Sequence, residues 1–266
     1  RTLTLASAVF NEETDAYDQT GLSASADVTR RFGKTSYLTL GGALDFARTA
    51  EKTSVNNVTV VGEDRDTVTG TLLVAFALDR SDDPLDPTTG WRLEARTEPT
   101  WVAGDDSLGY LRTVAQASAY FPFGEQASTV AAGRLRLGTI LGGEIPGVPA
   151  GRRFYAGGGG SVRGYAYQAI GPRLPDNTPI GGLSLFEASA ELRHDLTEKW
   201  GVVAFVDAGA VGTDPTPTGD DYSAGVGLGV RYDLGFGPIR GDIAIPLDKR
   251  EGDPSFQIYL SIGQSF

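Results

Sequence analysis

Apolar and polar residues alternate with a period of two along most of this chain, the spacing of strands with a different environment on each face. Trp91, Leu93, Ala95 and Thr97 share one face, and Arg92, Glu94, Arg96 and Glu98 the other. Leu111, Thr113, Ala115, Ala117, Ala119 and Phe121 oppose Arg112, Val114, Gln116, Ser118 and Tyr120. Phe186, Ala188, Ala190 and Leu192 oppose Glu187, Ser189, Glu191 and Arg193. In the last third, Ala224, Val226, Leu228, Val230 and Tyr232 oppose Ser223, Gly225, Gly227, Gly229 and Arg231. Phe256, Ile258, Leu260 and Ile262 then oppose Gln257, Tyr259, Ser261 and Gly263. The pattern predicts about twelve strands, at roughly 2–11, 20–32, 36–49, 67–80, 90–102, 109–122, 128–141, 183–195, 200–211, 222–234, 238–247 and 255–266, with no helix between them.

The connections alternate in kind. Those at 31–36, 122–128, 196–200 and 234–238 are short, and 81–90 is middling. Those at 11–20, 50–66, 141–182, 212–222 and 247–255 are longer and mostly rich in Asp, Thr, Gly or Pro. Short turns at one end and long loops at the other are the layout of an up-and-down transmembrane barrel. No apolar run reaches the roughly 18 residues of a membrane helix, but barrel strands need only about 9–11 with alternating polarity. A soluble sandwich is the competing architecture. Its core would be thin, because several apolar faces are built largely of Ala. The expected fold is therefore all-β: an antiparallel transmembrane β-barrel of about twelve strands filling 1–266 as one outer-membrane domain, with a long loop at about 142–182 folding inward. An even strand number puts both ends on the short-turn side, the periplasm in a Gram-negative outer membrane. Phe266 closes the last alternating strand, a recurrent mark of outer-membrane barrels.

Composition narrows the chemistry. The 266 residues contain no Cys, which excludes disulfides and thiolate metal sites, and a single His, His194. The formal charge of −11 disfavours nucleic acid as a partner. There is no Met and no signal peptide ahead of Thr2, so the chain is expected to begin inside a longer or processed product. The 36 glycines suit close-packed β structure and turns.

The stretch Arg153 to Tyr165 places Arg163 behind the run Gly157–Gly160. A phosphate loop would need Gly-Lys-Ser/Thr and a following helix, and neither is present. A nucleophile elbow at Ser161 fails because Arg163 stands where its second Gly belongs. A Ser-His-Asp set would have to use His194, which reads instead as a strand-end surface residue. Asp82, Asp83 and Asp86 lack EF-hand spacing and read as a solvated turn rather than a Ca²⁺ site. No enzyme activity, metal or cofactor is expected.

The same stretch resembles the sixth extracellular loop of the outer-membrane insertase and translocase superfamily, which includes BamA, TamA and the two-partner-secretion transporters. The resemblance is carried by Arg153-Phe154-Tyr155-Ala156-Gly157-Gly158 and by the Val-Arg-Gly-Tyr tetrad, Val162, Arg163, Gly164 and Tyr165. A Phe-x-Asp-x-Gly strand is matched by Phe205, Asp207 and Gly209. The extension Ala166–Arg173, then Pro179–Gly182 and Glu187–Arg193, looks most like the TamA branch. The resemblance implies that the loop arginine enters the lumen and pairs with Asp207. Alternation agrees, placing Asp207 on one face with Phe205 and Val203, and a guanidinium can engage a carboxylate bidentately. Glu187, Arg193, Arg134, Arg136 and Arg231 are further candidates for the lumen.

The resemblance also implies insertion or assembly of outer-membrane proteins through a lateral seam between first and last strands, where a client strand pairs with an exposed edge. Phe256, Ile258, Leu260, Gly263 and Phe266 would form the seam's terminal strand, with Gly263 and Gln264-Ser265-Phe266 weakening its pairing. Implied partners are the lipid bilayer, lipopolysaccharide, client proteins such as autotransporters, and a periplasm-spanning partner reached through POTRA domains. Family barrels have sixteen strands preceded by POTRA domains, and this sequence matches about the last twelve. Three readings follow: a portion of a TamA-like insertase; a shortened or engineered barrel closed by joining Thr2–Phe10 to the last strand; or a two-partner-secretion transporter or passive pore.

Overall fold

The structure, a computed structural model, describes all residues except 34, 56–57, 105–106, 126–127, 217–220 and 251, and no side chains across 53–59. The predicted loop at 212–222 therefore lies partly outside the described residues. Twelve strands form one sheet in chain order: β1 (Thr2–Glu13), β2 (Tyr17–Phe32), β3 (Ser36–Val55), β4 (Val58–Asp79), β5 (Gly90–Ala103), β6 (Leu108–Phe123), β7 (Thr129–Leu141), β8 (Ser184–Asp195), β9 (Trp200–Gly212), β10 (Ser223–Asp233), β11 (Pro238–Pro246) and β12 (Gln257–Ile262). Each pairs antiparallel with its neighbours. The long connection 142–183 holds a 3-10 turn at Ala150–Arg152.

The core is inverted relative to a soluble protein. Leu44, Phe46, Leu72, Trp101, Leu228 and Ile258 lie exposed on the outer face. On β4 the outward apolar positions run from Val68 to Leu78. Ten residue steps span about 33 Å, or about 25 Å of height at the usual tilt of barrel strands, which is the apolar band of a transmembrane barrel. The band stops at the exposed Arg48–Asp66 ion pair (2.7 Å), just beyond Phe46 and Val68. Aromatic rings mark both borders. Trp200 stacks edge-on against Tyr232 at the short-turn end, and Phe186 against Tyr222 at the other. The buried apolar cluster lies inside, where Val148, Phe154, Val162, Tyr165 and Ile170 of the long loop pack on Val102, Tyr110, Ile140, Leu185 and Val211 of the wall.

Three expectations are corrected. The loop predicted at 50–66 is mostly strand, because β3 and β4 continue to Val55 and Val58. Above the apolar band polar and apolar residues no longer alternate regularly along this hairpin, so the ladder continues where the pattern gives no sign of it. The loop predicted at 11–20 likewise contracts to 14–16, where the Thr14 side chain accepts the Ala16 and Tyr17 amides. Third, the terminal strand ends at Ile262 rather than Phe266. Gly263 takes φ +83, a left-handed conformation that leaves the strand direction. Phe256, one residue ahead of β12, and Gly263 and Phe266 beyond it are therefore not seam-strand residues, and Phe266 packs inside against Tyr120, Val130 and Ala132.

Among the described residues no ladder joins β1 to β12, so the proposed closure through Thr2–Phe10 does not form. β1 pairs only with β2, and β12 pairs only with β11, over six residue pairs from Ile239↔Ile262 to Ala244↔Gln257. Both outer edges of the sheet are unpaired.

Candidate functional site

Alternation on β9 turns Val203, Phe205 and Asp207 inward, and all three are buried. Inward residues of β10 opposite them are glycines, with Gly225 paired to Asp207 and Gly227 to Phe205. This leaves a trough without side chains in which the loop lies. A Cβ on Gly225 would stand 2.0 Å from the Arg163 carbonyl oxygen, and one on Gly209 would stand 2.6 Å from Val162 Cγ2. Gly164 completes the bend at φ +103, with the β11 backbone of Ile245 only 2.8 Å from where a Cβ would be. The loop tip thus reaches the wall by backbone contact, and Arg163 projects sideways into the sheet's interior.

The guanidinium of Arg163 forks onto Asp207, with Nε donating to Oδ2 at 2.7 Å and Nη2 to Oδ1 at 2.9 Å, and its own backbone N–H also donates to Oδ2 at 3.0 Å. Nη1 donates to Glu191 (2.7 Å), to Asp242 (3.3 Å) and to the Ser265 hydroxyl (3.1 Å). The plane lies over the Phe205 ring, 3.5 Å from its centroid, a cation–π contact that shields the pair from water. Arg240 joins Glu191 at 2.8 Å and Asp242 at 2.7 Å, and Arg193 joins Glu191 at 2.9 Å. Three arginines (163, 193, 240) therefore face three carboxylates (191, 207, 242), and the cluster is neutral as a whole. All six side chains are at most 4% exposed. Burial alone would depress the Arg163 pKa, but Asp207 and Glu191 outweigh it and hold the group above its ordinary value.

The other predicted residues fall into separate groups. Glu187 sits between Arg134 (3.7 Å) and Arg136 (3.5 Å) and accepts a short hydrogen bond from Ser161. Arg134 also caps the loop carbonyls of Gly160 (3.0 Å) and Ser161 (2.9 Å). Arg193 belongs to the Arg163 cluster. Arg231 does not; it lies at the short-turn mouth between Asp195 and Asp86. Tyr165 donates to the Ala224 carbonyl at 3.0 Å, and Val162 is fully buried. Phe256, Ile258 and Leu260 point outward. His194 lies exposed at a strand end, bonded to Thr129 (2.8 Å).

Sequence reasoning missed Glu191, Arg240, Asp242 and Tyr259. Glu191 was visible on the same inward face as Glu187. Arg240 and Asp242 occupy the inward face of β11, a strand that alternation located without assigning those two residues to the site. Tyr259, inward on β12, accepts the Gly164 N–H at 3.0 Å and donates to the Tyr165 carbonyl at 3.1 Å. That hydroxyl ties the terminal strand to the loop tip. At its base the loop is held to the opposite wall, where Arg153 forks onto Glu51 of β3 (2.7 and 2.9 Å) and Arg152 pairs with Asp45.

The Omp85 superfamily domain matches residues 2–266. Among curated proteins, the outer membrane protein assembly factor BamA of Nitratidesulfovibrio vulgaris (strain Hildenborough) is 31% identical over 205 residues, covering 73% of this chain and 25% of that protein. The chain thus spans about a quarter of that relative's length. Among solved structures, BamA from Haemophilus ducreyi lacking POTRA domains 1-3 superposes with a TM-score of 0.78 at 20% identity, over 96% of this chain and 58% of that one. CdiB from Acinetobacter baumannii gives 0.58 at 17% identity, over 91% and 42%. At those identities the superpositions speak to the fold.

Proposed function

The chain belongs to the Omp85 superfamily, and from that premise we propose its function. The chain is the barrel part of an outer-membrane factor that inserts and assembles other outer-membrane proteins, nearest the TamA branch, with autotransporters as clients. The bilayer and lipopolysaccharide surround the apolar band. A periplasm-spanning partner acts through domains ahead of the barrel, and no step involves covalent chemistry.

The observation that carries this reading is the terminal strand. β12 is bonded to β11 over only six residue pairs, the shortest ladder in the sheet, before Gly263 turns the chain inward. An exposed edge is a template for a further strand, the mode of β-augmentation. Its inner side is pinned by Tyr259 and Ser265 to the loop whose arginine is locked by Asp207, Glu191 and Asp242. The lock fixes where the edge stands while leaving it open to a client. The TamA assignment rests on the loop extension Ala166–Arg173 and Pro179–Gly182.

The test is reconstitution of the full-length protein into phospholipid vesicles, with and without lipopolysaccharide, followed by addition of an unfolded autotransporter barrel. Protease-protected, heat-modifiable client should accumulate faster than in empty vesicles. No acceleration refutes the reading. A large steady single-channel conductance would favour the passive pore, and secretion of a soluble substrate without barrel insertion the two-partner transporter.

A further inference from the structure

The turn between β4 and β5 has a part that the Asp-rich sequence conceals. Asp82 accepts the backbone N–H groups of Thr88 (2.9 Å) and Thr89 (3.1 Å) and the Thr88 hydroxyl (2.6 Å). Asp83 accepts the N–H groups of Leu85 (2.7 Å) and Asp86 (2.9 Å). Arg92 reaches back from β5 to the carbonyls of Asp83 (2.6 Å) and Pro84 (3.1 Å). Those acids build a fixed arch, and its crown is left for other partners.

The crown meets the end of the terminal strand. In sheet order β5 and β12 stand seven strands apart, so the turn crosses the mouth of the barrel to reach it. The Gln264 backbone N–H donates to the Leu85 carbonyl at 2.8 Å, and its side-chain amide donates to Asp86 at 2.8 Å. Gly263 passes so close that a Cβ there would lie 3.3 Å from the Leu85 oxygen. Two residues on, the Phe266 ring sits between the guanidiniums of Arg134 (5.5 Å) and Arg193 (5.4 Å), and Arg193 also donates to the Pro87 carbonyl (3.3 Å). The turn is solvent-exposed at 82–85, as expected, and still meets the strand end through Leu85 and Asp86.

We propose that the β4–β5 turn is a dock for the end of the terminal strand, holding it inward at rest and releasing it when the seam takes a client strand. This release step rests on the function proposed above. The turn's contacts suit a reversible hold: one amide–carbonyl bond and one amide–carboxylate bond, with no extended ladder to unzip, while the Phe266 ring rests on the wall beside them.

The chain has no native cysteine, so Asp86→Cys with Gln264→Cys can be bridged selectively in the full-length protein in vesicles by a short, reducible bis-methanethiosulfonate. The bridge is expected to form without client and to lower assembly by about tenfold or more, as expected of a locked gate. Reductant should restore the rate, and the rate of each single variant, whatever it is, should be the same before and after the reagent. Failure to bridge overturns the dock. Bridged protein that assembles client at the unbridged rate overturns the release. A wild-type protein with no assembly activity overturns the earlier function and the release with it, while the bridging yield still decides the dock.

Discussion

Replacing Arg163 by Ala removes one charge from a buried cluster of three cations and three anions. Asp207 then loses both side-chain donors, and Glu191 and Asp242 keep Arg240 and, for Glu191, Arg193. Breaking a buried pair from one side costs about 3–5 kcal/mol, because the remaining charge stays desolvated without its partner. Asp207→Ala alone should cost a similar amount for the opposite reason, leaving three cations facing two anions. The double variant restores the balance at two against two. Its cost should therefore fall short of the sum of the singles by about 2–3 kcal/mol, within the range of coupled neighbours. The assay is urea unfolding in lipid vesicles, read by loss of heat-modifiable migration and by tryptophan fluorescence. Singles that add to the double within about 0.5 kcal/mol would mean that the residues do not interact, and the electrostatic account of the site would be wrong.

Tyr259→Phe keeps the ring and deletes the hydroxyl between Gly164 and Tyr165. Leaving those buried groups unpaired should cost about 1–3 kcal/mol and speed hydrogen exchange at the Gly164 amide; unchanged exchange would remove Tyr259 from the clasp. Gly225→Val would put side-chain atoms where the Arg163 carbonyl lies, so limited proteolysis should cut near 157–165 in the variant and not in the wild type. Asp82 is pushed up by partial burial, but its bonds to Thr88 and Thr89 outweigh that and hold it below the usual carboxylate range. A depressed acid stabilises above its unfolded pKa and loses that contribution as pH falls through its folded one. The arch should therefore keep its order from neutral pH into mild acid and loosen only in stronger acid, which labelling of a Leu85→Cys probe would follow. Asp82→Ala should loosen it at pH 7.

Alternation located all twelve strands because each crosses an interface between lipid and a wet interior, and that contrast is written into every second residue. Where the contrast vanished, as in the upper halves of β3 and β4, the strand signal vanished with it. Arg163 and Asp207 were legible because a family pattern joins them across 44 positions of chain. Glu191 and Asp242 were not, since their approach to Arg163 depends on where the loop tip comes to rest on the neighbouring inward faces of β8, β9 and β11. The inward turn after Ile262 rests on one φ angle at Gly263 and on a turn 178 residues earlier, at Asp86. Local pattern carries neither.

The long loop links distant parts of the twelve-stranded sheet through its interior. Arg152 and Arg153 fix its base to Asp45 and Glu51 on β3. Arg163 fixes its tip to Asp207, Glu191 and Asp242 on β9, β8 and β11. Between these anchors an apolar cluster built on Val148, Phe154, Val162 and Tyr165 keeps the span rigid. The loop is therefore a tie across the interior, joining β3 to β8, β9 and β11. A tie made from ion pairs also suits an opening seam. The cluster is neutral as a unit and directional in its parts, so it specifies one geometry for the loop tip beside the apolar packing of Val162 and Tyr165. Arg163→Lys tests this distinction. Lysine preserves the charge and the neutrality but lacks the fork, so it should retain most of the stability while weakening the fixed loop geometry. Spin-label distances between the loop tip and β12 should broaden in that variant with only a small change in urea midpoint. A distance distribution as narrow as that of the wild type would mean that charge alone positions the tip, and that the planar geometry of the guanidinium contributes nothing.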